Sequence, residues 1–267
     1  MRTEILAEGT NSLPYSLAHP MQGYICEAEK GNWSGAMNYM LDFFETSCQF
    51  LSIVLLGLLK AEGGEFRDHP SVVKAIGKID NKRPLSFGDW ANDILTPLAG
   101  LAAVSLPDNE FVQSLSKVIS PKKHLILGRK SEQSIVKIRN DYKGHGTTLS
   151  QEIYREVAAG IHDRFLEFVQ ALMPLGRMQF KTAMPGGETL LLNGHSPKPD
   201  GQDETLKEGH YYICEGSRHI DLYPLIHCNG KGHIYVFQTL KDELVAYISS
   251  NEEALSQTTD SLNDEFD

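Results

Sequence analysis

The sequence predicts an α+β chain: an all-α bundle, then a small antiparallel β-meander domain, then an acidic flexible tail. Periodicity and charge carry that expectation. Up to about residue 176, apolar residues recur at three- and four-residue steps. Beyond it they fall in short runs rich in Tyr, Ile, Val and Phe, separated by turn residues. Of the net charge of -10, residues 1–180 account for little, with 19 Lys+Arg against 20 Asp+Glu. Residues 181–267 hold 6 against 15. The expected units are residues 1–178, 179–250 and 251–267, and 267 residues suffice for one large domain or two ordinary ones.

Residues 1–32, with Pro14, Pro20 and several glycines, read as irregular chain wrapping the core. From Trp33 to Lys60 the steps Met37, Met40, Leu41, Phe44, Cys48, Leu51, Leu55 and Leu58 give a long helix. It turns apolar on nearly every side past Phe50, as a central bundle helix does. Its most apolar run, residues 50–59, is short of the ~20 needed to span a bilayer, so no membrane contact is expected. Helices follow at 69–79, 88–103 and 109–119, with Pro70 early in the first and Ser86 as the N-cap of the second. Residues 129–140 and 150–172 complete the bundle. Ser150 caps the last helix, and Pro174 with Gly176 stops it. Strands are expected at 189–192, 210–214, 219–227, 233–239 and 244–249, with 194–204 a polar Pro/Gly loop. The last eighteen residues are acidic and Ser/Thr-rich, as in a solvated tail. Such an ending also fits one piece of a longer protein.

One stretch carries candidate chemistry: IVKIRNDYKGHGTTLS, residues 135–150. Arg139 ends one helix and His145 lies in the connection to the next, between Gly144 and Gly146. Lys117 to Lys143 holds eight basic residues and two acidic ones, a local +6 that a polyanion would seek, or a solvated face. The spacing Arg-x4–6-His is weak by itself, since roughly one match arises by chance in a chain of this composition. A second match, Arg155…His162, lies within the helix 150–172, about two turns apart, and reads as helix surface.

RNDYKGHG between two helices, behind a long apolar early helix, resembles the HEPN superfamily over about residues 33–175. The resemblance implies a helical bundle, often a metal-independent endoribonuclease, with Arg139, Asn140 and His145 matching its motif. No cofactor and no metal are implied. RNA supplies its own 2′-OH nucleophile, so the protein has protons to move and charge to stabilise. A histidine titrating near neutrality does the first, and a forked, permanently charged arginine the second. Products would be a 2′,3′-cyclic phosphate and a 5′-OH. Asn140 would orient the phosphate or the imidazole, and Tyr142, Lys143 and Lys137 would hold RNA by stacking and charge. Glu45, on the apolar helix, is a candidate polar partner. The family also implies a homodimer with a composite cleft, in a bacterial toxin or anti-phage setting. The alternative is a non-catalytic dimerisation or sensor module of a larger signalling or defence protein. There Arg139 bonds helix-end carbonyls or a carboxylate, and His145 caps the next helix.

Elsewhere the chemistry is sparse. Four cysteines without CxxC spacing and no export signal lead to the expectation of a reduced, cytoplasmic protein. His195, His210, His219, His227 and His233 with Cys214 and Cys228 show no zinc-ligand spacing. His219 and His227, placed in one strand, would lie ~26 Å apart. GRKSEQS lacks the leading glycine and the GK[ST] of a phosphate-binding loop. The acidic β part would meet a protein partner or couple to a further domain instead of binding nucleic acid.

Overall fold

The computed structural model describes residues 2–63, 65–79, 85–120, 123–128, 133–143, 149–216, 218–223, 225–228 and 234–236. It is α+β, with a helical N-terminal part and a small antiparallel sheet after it.

The first departure from expectation is at the N-terminus, which is helical: α1 (Arg2–Ser12) and α2 (Tyr15–Glu29). Pro14 separates the two helices, and Pro20 sits buried inside α2. The glycines there permit close packing. A Cβ on Gly23 would lie 2.5 Å from the ring of Tyr39, and one on Gly9 would lie 2.6 Å from Met21 Cε. Glycine read as a breaker was serving contact between helices.

The central helix, α3 (Trp33–Ala61), is capped by the Asn32 side chain, which accepts from the backbone N–H of Gly35 at 3.3 Å. It is long and apolar enough to cross a membrane, but most of its apolar window is buried inside this protein. It is a core helix. Next come α4 (Pro70–Ile79), a π-helical segment (Asp89–Leu95) running into α5 (Thr96–Ser105), and α6 (Glu110–Val118). Ser86 and Asp89 form a reciprocal cap before the π segment. Ser86 Oγ accepts from the Asp89 N–H at 3.2 Å, and Asp89 Oδ2 accepts from the Ser86 N–H at 3.0 Å. A two-residue hairpin, β1 (Ile119–Ser120) with β2 (Lys123–His124), leads to α7 (Ile135–Lys143) and α8 (Gln151–Leu172). Ser150 Oγ accepts from the Ile153 N–H, as its N-cap role requires. Ser34 meets Gln151, while Phe43 and Phe44 pack on Phe165 and Phe168, so α3 and α8 run parallel.

Five strands form the main sheet, in the order β5 (Lys198–Gln202), β4 (Glu188–Leu191), β3 (Gln179–Ala183), β6 (Tyr211–Glu215), β7 (Arg218–Asp221). All pairs are antiparallel, and the chain returns after β5 to lay β6 on the free edge of β3. A hairpin of β8 (Ile226–Cys228) and β9 (Ile234–Val236) follows. Two expectations change here. The stretch 194–204 contains β5, an exposed edge strand that pairs through its backbone and needs no apolar pattern. The expected strand 219–227 is broken between β7 and β8, so His219 and His227 are on different strands. The expected strand at 244–249 and the acidic tail lie outside the described residues.

The sheet packs on α3. Phe50 sits 5.6 Å from Phe180 and 6.1 Å from Tyr211, ring to ring, and one hydrophobic cluster runs from Leu6 to Ile226. Asn193 ties the sheet to α1, donating to Ser12 O at 2.9 Å and accepting from the Phe180 N–H at 2.9 Å.

Candidate active site

Helix α7 is docked by its apolar side: Ile135 and Ile138 are buried and Val136 is partly so. Its start is fixed by the Ile135 N–H donating to Ile126 O at 2.7 Å and the Lys137 N–H donating to Ser134 Oγ at 3.1 Å. Arg139, four residues after Ile135, therefore comes to the edge of the core beside α3.

There it meets Glu45. Arg139 Nε donates to Glu45 Oε2 at 3.1 Å and Nη2 donates to Oε1 at 3.3 Å, a two-point fork. The side chains keep 33% and 20% of their exposure, so the pair sits at the surface with the carboxylate the more enclosed. A carboxylate on so apolar a helix needs a partner, and the guanidinium supplies it. In turn the fork fixes the plane of the guanidinium.

The other candidates spread along α7. Asn140 and Lys137 are exposed. Tyr142 packs partly against the core, its ring 6.2 Å from Tyr154 of α8. Lys143 is the last residue of α7, so Arg139 stands inside that helix and does not end it as the sequence suggested. His145, with Gly144 and Gly146, lies outside the described residues, as does the Lys143 side chain. The structure thus brings Glu45 and Arg139 together. The basic stretch is also less free than its sequence suggests: Lys123 is paired with Glu167 of α8, as Arg139 is with Glu45.

Two residues without a part in the sequence reading hold the loop before α7. His124 Nδ1 accepts from the Leu127 N–H at 3.0 Å, so the neutral ring carries its proton on Nε2. That proton faces Thr96 Oγ1 at 2.9 Å, and Thr96 donates to Ala91 O at 2.6 Å in the π segment. Burial first, and the Arg164 charge second, pull the His124 pKa down to about 4. Arg164 of α8 clasps the same loop by donating to Leu125 O and, at 2.8 Å, to Gln133 O. Neither residue belongs to a motif. The only sequence signal was a histidine and an arginine beside apolar residues.

The second Arg…His pair lies on α8 with Arg155 exposed, as its helix-surface reading has it, and His162 half-buried. Arg155 and His162 line one cavity with Tyr24 and Trp33. In the sheet, His210 Nδ1 lies 2.8 Å from Asp221 Oδ2, with its ring stacked on Tyr223 at 3.9 Å. No three His, Cys, Asp or Glu side chains gather as metal ligands among the described residues. Compared with protein-family models, curated proteins and solved structures, the chain matches none.

Proposed function

We propose that this chain is a metal-independent endoribonuclease-type effector of HEPN-like design, cleaving RNA by attack of its own 2′-OH. The observation that supports the reading is the Glu45–Arg139 fork. An arginine held by Nε and one face of Nη2 keeps its Nη1 side for a second anion, and its plane is already set. That is the preorganisation a phosphorane-like transition state rewards. His145, two residues past the end of α7, takes the role of proton carrier, and Asn140 that of its neighbour on the phosphate. Tyr142, Lys137 and Lys143 hold the strand. No cofactor takes part. The active form is a homodimer whose two motifs share a cleft, in the cytoplasm, in a toxin or anti-phage setting. The sheet or further domains of a longer chain relay the trigger.

The same fork favours a second reading. Pairing with Glu45 neutralises Arg139, as suits a non-catalytic dimerisation or sensor module of a larger signalling or defence protein. Cleavage of total RNA and a labelled oligonucleotide in EDTA separates the two. The effector reading expects 2′,3′-cyclic phosphate and 5′-OH ends, lost in folded Arg139→Ala and His145→Ala variants. Intact RNA after incubation with folded, dimeric wild type supports the module.

A further inference from the structure

A cavity of about 390 Å³ opens on the flank of α8 that faces α2 and the start of α3. Tyr24, Trp33, Arg155, Ala158, His162 and Asp163 line it. Positions 155, 158 and 162 fall on one helix face. The helix rises about 10.5 Å between Arg155 and His162, so the two stand at different levels of one groove instead of converging on one atom. Ala158 is a small buried residue between them and leaves room for a ligand.

Each wall has a distinct chemistry. Trp33 is half-buried and offers an indole surface. Arg155 is exposed and brings a permanent positive charge. The Tyr24 hydroxyl lies 3.1 Å from His162 Nδ1 and sets the imidazole plane. Burial holds the Tyr24 phenol above its ordinary range, so it stays a protonated donor at neutral pH. Asp163 brings acceptor oxygens. A matching ligand has a flat ring, an anionic group and hydrogen-bond donors, within a volume ordinary for small-molecule sites.

We propose that this cavity binds a single nucleotide unit, its base against Trp33, its phosphate on Arg155 and its amine or hydroxyl donors toward Asp163. The site shares no residue with the Glu45–Arg139 pair and does not depend on the nuclease reading. The unit is either a free mononucleotide or the phosphorylated end of an RNA strand.

The chain has two tryptophans, and Trp90 is fully buried, so a ligand-induced change in indole fluorescence reports Trp33. AMP and UMP titrated into the full chain are expected to quench it saturably, AMP at the lower concentration because it stacks more surface. Arg155→Gln is expected to weaken AMP by about tenfold, the size of one lost charged hydrogen bond, and to leave adenosine unchanged. A 3′-phosphorylated trinucleotide that binds more tightly than AMP assigns the strand end as the source. One that binds no better assigns the free nucleotide. Absence of saturable quenching up to about 10 mM, or equal AMP affinity in Arg155→Gln, overturns the proposal. Phenylalanine binding in place of AMP does so as well. Arg139→Ala keeps nucleotide binding, so a failed cleavage assay leaves this site standing.

Discussion

At the scale of single residues, charge decides which side chains are committed and which are available. Arg139 is held by Glu45, Lys123 by Glu167, and Arg164 by the carbonyls of the loop before α7. His124 is the residue where pH should act on the fold. Its ordinary value of 6.5 describes the unfolded chain, against about 4 in the folded protein. Above pH 6.5 the ring is neutral in both states and its full contribution is present. Between those values the unfolded chain takes up a proton that the folded chain refuses, so stability is lost as pH falls toward 4. The loss is about 3 kcal/mol at most. Urea midpoints measured from pH 7 to pH 4 should show this decline, and His124→Gln should flatten it. The site was half legible at this scale. Glu45 could be read as one of two carboxylates, with Asp42, on a largely apolar helix, and Arg139 from its motif. The roles of His124 and Arg164 depend on carbonyls and a hydroxyl brought from three other elements, which no local pattern records.

At the scale of elements, periodicity located α4, α6 and α8 because each has one consistent apolar side, and α3 because its apolar steps run into a stretch buried on every side. It missed α1 and α2, where glycine and proline are close-packing residues within helices. It missed β5, whose five residues are all exposed and whose pairing is made by the backbone. The π segment was read as ordinary helix, since its wider turn shows only in the bonding, where the Thr96 N–H and Oγ1 both donate to Ala91 O five residues back. The contact between α3 and the sheet gives a direct test. A Cβ at Gly57 would stand 2.4 Å from Leu222 Cδ2, and Leu222 is fully buried. Gly57→Leu should therefore lower stability by about 1–3 kcal/mol despite leucine's better helix propensity, read as a shift in urea midpoint. An unchanged midpoint would mean that the sheet does not press on α3 as described.

For the whole molecule, the sheet and the bundle share a core through Phe50, Phe180 and Tyr211, while α7 and its arginine sit on the edge of that core beside α3. One helix therefore carries the sheet contact, at Phe50 and Gly57, and the partner of the motif arginine, at Glu45. On the proposed function, Glu45 positions Arg139 for chemistry on RNA. The measurement that reaches it most directly is a double-mutant cycle on the single-turnover cleavage rate of a labelled oligonucleotide, using Glu45→Gln, Arg139→Ala and both together. Arg139→Ala should cost about a hundredfold or more, as loss of a charge-stabilising donor does. Glu45→Gln alone should slow cleavage, and should add nothing once Arg139 is gone, because it acts only through that side chain. Full additivity of the two losses, or an unchanged rate in Glu45→Gln, would contradict the claim.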